Sequence, residues 1–322
     1  MPSNTEKLRK LYEQFTKDDQ VLIPINADPD SIGSAMAFKR LLWHKVAGVT
    51  ISNINVIKRP DNLAMIRLLG IKLIPFDKVD TKICSKFVLL DSQPTHHPIF
   101  SSLKFSVIID HHPLTNVNAA FTDIRPNYGA TATIMTEYLK AAKIKPSMKV
   151  ATGLFYGIKT DTSNFERQAL PEDIRAFHYL FRFINVTLAR KLEYGVITNS
   201  FLKYFQIALD YMHIRDNRAY VNLGPVINPD VCVEIADFFM KIYGIDWTFI
   251  AGLYEGNLII IIRNNGIRKD AGRLASKRFG DIGSAGGHKS VARAEIPLEN
   301  LKNIVDYNAP RKLLRWIIKK TG

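Results

Sequence analysis

Residues 105–112 read FSVIIDHH, an apolar β-branched run that stops on an acid followed by two imidazoles. Val107, Ile108 and Ile109 form a short continuous hydrophobic stretch, the pattern of a strand buried on both faces of a parallel sheet. Asp110, His111 and His112 fall where that strand ends. In open α/β sheets ligands bind outside the carboxyl ends of the strands, so these three residues stand where chemistry is done. Taken alone, Asp-His-His reads equally well as polar punctuation in a loop, and the rest of the chain has to decide.

Upstream, Val21 to Ile25 is a strand-like run followed by NADPDSIGSAMAFKRLLWHK. There Asp28, Pro29 and Asp30 make a tight acidic corner, and Ser31 to His44 has the apolar spacing of a helix. Ile51 to Ile57 and Ser85 to Leu90 read as further strands, the second ending on Asp91, with a helix over Leu63 to Leu69 between them. Strands alternating with helices predict a doubly wound, mostly parallel α/β sheet. Three strands of this half end on Asp. A buried strand end has no structural need of a carboxylate, and clustered unpaired carboxylates repel unless cations neutralise them.

Downstream, Thr131 to Ala142 is a helix preceded by a loop containing Asp123 and Arg125. Lys149 to Tyr156 continues into GIKTDTSNF, where Asp161 reads either as a further site carboxylate or as a turn-former or helix cap. Glu172 to Phe183 and Leu202 to His213 look helical. From Arg218 the pattern changes: RAYVNLG is a strand, Pro229 to Tyr243 a helix, and WTFIAGLY with NLIIIIRNN a hairpin around Glu255-Gly256. DAGRLASKRFGDIGSAGGHKS then reads as a helix leading into a Gly-rich loop. The expected organisation is a metal-binding catalytic domain over residues 1–189, a helical linker over 190–215, and a second, smaller α/β substrate-binding domain over 216–322. His96-His97-Pro98 echoes His111-His112-Pro113, but no strand-end Asp immediately precedes it, so it reads as surface loop. Arg311 to Lys320, RKLLRWIIKK, is a basic amphipathic helix with Leu313, Leu314, Trp316 and Ile317 to pack on its domain.

The chain has 322 residues, enough for two cores of ordinary size, and its 47% hydrophobic and 23% charged residues are those of a soluble globular protein. Lys and Arg outnumber Asp and Glu by 44 to 30, a net +14 spread over both halves, which favours polyanionic partners such as oligonucleotides or phosphate chains. Cys84 and Cys232 lie far apart in or beside apolar runs and read as reduced thiols, which fits a cytoplasmic protein. No run approaches the roughly 18 apolar residues of a membrane span, and MPSNTEKLRKLYEQF carries charge where a secretory leader needs an apolar segment. A soluble protein without a membrane partner is predicted.

Asp28, Asp30, Asp91, His111 and Asp161 together offer hard oxygen donors and an imidazole, without thiolate. That mixture suits Mn²⁺, or Mg²⁺, far better than a closed structural Zn site. Two divalent cations roughly 3.5–4 Å apart polarise a phosphoryl oxygen and convert water to hydroxide near neutral pH, so the expected reaction is hydrolysis at phosphorus.

The ordered set DPD, strand-end D, DHH and G-x-x-x-D-T resembles the four motifs of the DHH phosphoesterase family, and the C-terminal GGH segment resembles its DHH-associated domain. The resemblance covers nearly the whole chain. It looks most like the NrnA-type branch of oligoribonucleases and pAp phosphatases, with RecJ exonucleases and family II pyrophosphatases as more distant relatives. It implies that Asp28 and Asp161 ligate one metal and Asp30 and His111 the other, with Asp91 bridging. Asp110 would orient His111, and His112 would face the substrate phosphate or leaving group; a ligating imidazole is fixed by what its other nitrogen bonds. The same resemblance puts Gly286, Gly287 and His288 in the phosphate- or nucleotide-binding loop, with Arg263 beside it and Arg273, Arg278 and Lys289 as nonspecific contributors. Without it, GGH would read as an ordinary glycine turn. Three positions depart from the family pattern. Pro24 stands where many relatives carry a metal-binding His, Asn26 where RecJ-like relatives carry an Asp, and Ala285 where a third glycine is common. The first metal site is therefore expected to be one protein ligand short, completed by Asn26 or water.

The expected function is a Mn²⁺-dependent phosphodiesterase or phosphomonoesterase acting on short single-stranded oligonucleotides of the nanoRNA kind or on pAp-type nucleotides. Two alternatives stay open: an inorganic polyphosphate or pyrophosphate hydrolase, and a non-catalytic nucleic-acid binder built on a degenerate metal site. Homodimerisation is also open.

Overall fold

The computed structural model describes residues 3–57, 59–166, 169–193, 199–266 and 269–322. The chain divides into two compact units, Met1–Val196 and Ile197–Gly322. In the first, α1 (Asn4–Tyr12) precedes β1 (Gln20–Ile25), α2 (Pro29–Leu41), β2 (Gly48–Asn53), α3 (Pro60–Leu69), β3 (Leu73–Pro75), β4 (Lys86–Leu90), α4 (Pro98–Ser101), β5 (Val107–Asp110) and β6 (Phe121–Ile124). Four helices follow, α5 (Thr131–Ala141), α6 (Met148–Asp161), α7 (Pro171–Phe181) and α8 (Val186–Glu193). The strands lie in the order β3-β2-β1-β4-β5-β6, every pairing parallel. That order reverses between β1 and β4, which opens the crevice where such sheets bind ligands.

The FSVIIDHH stretch supplies β5, buried at all four positions. Val107 and Ile109 join the main core with Val21, Ile23 and Ile25 of β1, Val88 and Leu90 of β4, and helices α2, α5 and α6. Ile108 points the other way, into a smaller cluster with Leu89, Phe100 and Phe105. Side chains alternate across a strand, so burial on both faces is what makes the run continuously apolar.

Helix α2 starts on a reciprocal cap: Asp28 Oδ1 accepts from the Ser31 N–H while Ser31 Oγ accepts from the Asp28 N–H, with Pro29 at the first helical position. Helix α6 presses against this first turn through glycines. A Cβ on Gly33 would come within 2.8 Å of the Gly153 carbonyl oxygen, and one on Gly157 within 3.0 Å of Asp30 Cα. Asp161 lies one turn beyond Gly157, so the close approach that Gly157 permits is what carries Asp161 to Asp30. Two local expectations change. Residues 121–124 form the edge strand β6 rather than loop, with Phe121 and Asp123 buried on one face. Asp161 ends a continuous helix rather than sitting in a turn.

The second unit contains α9 (Asn199–Asp210), β7 (His213–Arg215), β8 (Arg218–Pro225), α10 (Asp230–Phe239), β9 (Trp247–Tyr254) and β10 (Asn257–Asn264). It continues with α11 (Ala271–Phe279), β11 (Ser284–Gly287), β12 (Val291–Pro297), α12 (Leu298–Leu301) and α13 (Pro310–Thr321). Its sheet runs β11-β12-β10-β9-β8-β7, antiparallel except for the parallel pair β8 and β9. Leu258, Ile260 and Ile262 pack with α11 and α13 on one face, Ile259 and Ile261 with α9 and α10 on the other. The β9–β10 hairpin turns on Glu255 and Gly256, both with positive φ. In α13 Leu313 and Ile317 are buried.

The glycine segment departs from the expected loop: Gly286 and Gly287 end strand β11, paired with Arg293 and Ala292 of β12. The cause is the approach of α11, whose first residues donate from Ala271 N and Gly272 N to the carbonyls of Lys289 and His288. A Cβ on Gly272 would lie 2.3 Å from the Gly287 carbonyl oxygen. Among the described residues no helix is long and apolar enough to cross a membrane.

Candidate metal centre

Four side chains from four elements converge where the strand order of the first sheet reverses. Asp30 lies in the first turn of α2, Asp91 follows β4, His111 follows β5 and Asp161 ends α6. One ligand-type atom from each lies within 4.8 Å of the other three. His111 Nε2 stands 3.3 Å from Asp161 Oδ2, 3.4 Å from Asp91 Oδ1 and 3.9 Å from Asp30 Oδ2. Its other nitrogen, Nδ1, is 3.2 Å from the Tyr128 carbonyl oxygen. A carbonyl only accepts, so Nδ1 carries a proton, and Nε2 is the atom turned toward the three carboxylates. That atom is buried and has no hydrogen-bond partner. Such an arrangement repels itself until a proton or a metal cation enters it, and three carboxylates with one imidazole fit Mn²⁺ or Mg²⁺.

Each carboxylate is aimed by its backbone. Asp30 accepts from the Thr131 and Ala132 N–H groups at 2.7 Å each, the first donors of α5, where a helix favours negative charge. Asp91 sits in the left-handed backbone region, φ 58°, and Thr131 Oγ1 donates to its Oδ1 at 3.0 Å. Asp161 is the last residue of α6, the end at which a helix disfavours a carboxylate. Burial, then the charge of Asp161, pushes Asp30 up to about 7. Burial and the charges of Asp30, Asp28 and Asp161 hold Asp91 well above the ordinary carboxylate range. Burial pulls His111 down, but the facing carboxylates of Asp161 and Asp30 outweigh it and push the ring up to about 9, so in the cation-free chain a proton occupies the place a metal would take. Protons and a divalent cation compete for the same lone pairs.

Asp28 stands beside this group: Oδ1 caps α2, and burial together with Asp161 raises its pKa. Asn26 is exposed, and its carbonyl accepts from Ser31 Oγ at 3.0 Å. Asp110 holds His112 rather than the His111 ring: His112 Nδ1 and Asp110 Oδ1 are 2.8 Å apart, whereas His111 donates to Asp110 only through its backbone N–H. Consecutive side chains at a strand end diverge, so the carboxylate reaches the second residue along and the Tyr128 carbonyl orients His111. Burial raises Asp110, but the hydrogen bond and charge of His112 leave it below its usual value, and His112 is raised by the same bond.

Arg263 and the GGH segment reach the same end of the second sheet: Arg263 pairs with Val291 of β12, whose carbonyl accepts from the His288 N–H at 2.7 Å. The Arg263 side chain falls in phase with Ile259 and Ile261 and faces α10, where its Nε bonds Asp237 Oδ1 at 2.6 Å, while α11 packs on the opposite face. Gly287 and His288 are exposed at the end of β11.

Sequence reasoning missed three participants. The Tyr128 carbonyl is invisible in residue identity. Gln93 is fully buried and ties the β4 and β5 loops: Nε2 donates to Asp110 Oδ2 at 2.7 Å and to the Pro113 carbonyl at 3.0 Å, and Oε1 accepts from Thr115 N and Oγ1 at 2.7 Å each. His96, read as surface loop, packs its ring edge-on against His112 with centroids 5.3 Å apart. The echo of His-His-Pro was its one signal; His97 is spent on accepting from the Ile99 N–H.

Residues 20–158 match the DHH family, N-terminal domain. An uncharacterized protein of Methanocaldococcus jannaschii is 34% identical over 314 residues, which is 97% of this chain; the chain spans 65% of that protein's length. The crystal structure of an exopolyphosphatase-related protein from Bacteroides fragilis is similar at a TM-score of 0.73 and 18% identity, over 93% of each chain. RecJ from Thermus thermophilus in complex with Mn²⁺ is similar at a TM-score of 0.53 and 13% identity, over 94% of this chain and 53% of that one. At these identities the two structures establish a shared fold.

Proposed function

We propose, from the match of residues 20–158 to the DHH family's N-terminal domain, that the protein is a divalent-cation-dependent phosphoesterase that hydrolyses short oligonucleotides or pAp-type nucleotides. The observation that carries the reading is the buried, unpartnered His111 Nε2 facing Asp30, Asp91 and Asp161. In this reading those four residues hold the first cation and Asp28, with Asp91 shared, contributes to a second, Mn²⁺ being preferred. Bound divalent cations supply Lewis acidity at a phosphoryl oxygen and lower the pKa of water toward neutrality.

The chain's own residues do the rest. Asp110 holds His112 by Nδ1, which turns Nε2 outward; with its pKa raised, that nitrogen donates a proton-bearing hydrogen bond to a phosphate oxygen or to the leaving oxygen. Tyr128 keeps the His111 proton on Nδ1, so Nε2 stays available. Gly286, Gly287 and His288 are assigned to substrate binding, the exposed glycine backbone permitting close approach of an anion. Arg263, paired with Asp237 on the α10 face, is left out of that role. The net +14 supports a polyanionic substrate.

The test is a panel of RNAs from dimers to long single strands, pAp and polyphosphate, each with Mn²⁺ and with Mg²⁺. Mononucleotide release from the shortest RNAs, or phosphate release from pAp, is expected, with Mn²⁺ the better activator. Phosphate release from polyphosphate alone would replace the substrate class. No turnover of any of them at micromolar enzyme would overturn the reading.

A further inference from the structure

We infer that His96 is a substrate-contacting residue that presents an Nε2–H donor beside His112, so that two imidazoles from separate loops hold one phosphate group. The ligand's identity rests on the phosphoesterase reading; the placement of the donor does not. His96 lies in the loop after β4, and its Nδ1 is 3.2 Å from both the Gln93 backbone N–H and Ser92 Oγ. A backbone N–H only donates, so Nδ1 is the acceptor and the proton of the neutral ring lies on Nε2. No described residue accepts from that Nε2, and the residue is exposed.

The companion donor is fixed in the same way from the other loop. His112 Nδ1 is taken by Asp110 Oδ1, which leaves its Nε2 outward, and the two rings meet edge-on. Gln93 locks both loops together, bonding Asp110 Oδ2 through its side chain and His96 through its backbone. Ligand-type atoms of His96, Asp110 and His112 lie within 4.8 Å of one another, which raises the question of a separate cation site there. The hydrogen bonding answers against it: both Asp110 oxygens are occupied, and Nδ1 of each ring is bonded to the protein. What remains is a pair of outward nitrogens, the complement of an anion rather than of a cation.

Two substitutions separate contact from scaffolding. In His96→Asn the amide oxygen can still accept from the Gln93 N–H, but the distal donor is gone. In His96→Gln the amide nitrogen reaches the Nε2 position and the internal acceptor is lost. With the best substrate of the panel, loss of one such bond should raise KM about tenfold in His96→Ala and His96→Asn, with His96→Gln recovering part of it and kcat little changed. Equilibrium binding of AMP in the presence of Mg²⁺ should follow the same order, and the thermal stabilisation by Mn²⁺ should be equal in all variants.

Wild-type behaviour in every variant would overturn the inference, as would a normal His96→Asn beside an impaired His96→Gln, the signature of an internal brace. Loss of the Mn²⁺ effect, or a wild-type protein that does not bind AMP, would also overturn it. A wild type that turns over nothing yet binds AMP in the stated order would sink the catalytic reading and leave His96 standing.

Discussion

Two clusters of buried carboxylates share the carboxyl end of the first sheet, and they are neutralised in opposite ways. At β6, Asp123 is enclosed by the protein's own cations and donors: Arg125 bonds both its oxygens at 2.6–3.1 Å, Lys7 reaches Oδ1 at 2.6 Å and the Tyr138 hydroxyl donates at 2.7 Å. Arg125 also bonds Glu137 at 2.5 Å and Asn4 at 3.0 Å. Burial raises Asp123, but the bonds and charge of Arg125 and the bond from Lys7 hold it below the ordinary value. At the crevice, Asp28, Asp30 and Asp91 are all raised: the charge of His111 lowers Asp30 and that of Arg59 lowers Asp28, but burial and the neighbouring carboxylates outweigh them. The lesson is that burial alone does not identify a site. The distinguishing feature is whether the charge balance closes within the chain, and at Asp30, Asp91 and Asp161 it does not.

The largest effect should come from removing a crevice ligand. His111→Ala or Asp91→Ala is expected to cost about a thousandfold in kcat/KM, several kcal/mol of transition-state stabilisation, and to abolish the thermal shift given by Mn²⁺, while the protein stays folded. Circular dichroism and steady-state assays check this. Next comes the closed cluster. Arg125→Met leaves buried Asp123 with Lys7 and Tyr138 alone and Glu137 without a cation, and should destabilise by about 3–5 kcal/mol in denaturant unfolding. A loss below about 1 kcal/mol would contradict the contrast.

The pH dependence sharpens the same comparison. Asp123 is depressed in the fold, so its contribution is present above the unfolded-state value of about 4 and is lost as pH falls through the folded value. Asp123→Asn should therefore be less stable at neutral pH and show a shallower loss of Tm between about pH 5 and 3. The crevice has the opposite sign. Asp30 is raised to about 7, so its contribution to the cation-free chain is full below the unfolded-state value of about 4 and is lost as pH rises from there through about 7. Chelator-treated protein should lose stability from about pH 4 to 7 through this group, and added Mn²⁺ should flatten the slope. The smallest effect is the control: Arg9→Ala removes an exposed i,i+4 pair with Glu13 and should change stability by less than about 0.5 kcal/mol.

Much of the first unit was legible because its signals are local. The β5 run announces double burial, and the acidic corner at Asp28 to Asp30 stands at the start of a helix read from its apolar spacing. What was not legible depends on nonlocal geometry. Residues 121–124 form too short a strand to stand out from their polar neighbours, and Asp123 among them takes its meaning from Lys7 and Arg125. The Tyr128 carbonyl carries no side-chain signature, and Gln93 and His96 act across two loops that only the sheet brings together. The pairing of Arg263 with Asp237 was not legible because strand phase, shared with Ile259 and Ile261, decides which face the side chain takes. The glycines of β11 read as a turn because a sequence does not show that α11 presses against them.

The most direct test of the open crevice is thermal unfolding of the chelator-stripped chain titrated with Mn²⁺, with binding followed in parallel by calorimetry. A cation that fills the space between His111, Asp30, Asp91 and Asp161 stabilises the folded chain by about 2.7 kcal/mol at a hundred times its dissociation constant, a saturable rise of several degrees in Tm. A Tm indifferent to Mn²⁺ and Mg²⁺ up to millimolar concentration, with no heat of binding, would contradict the account.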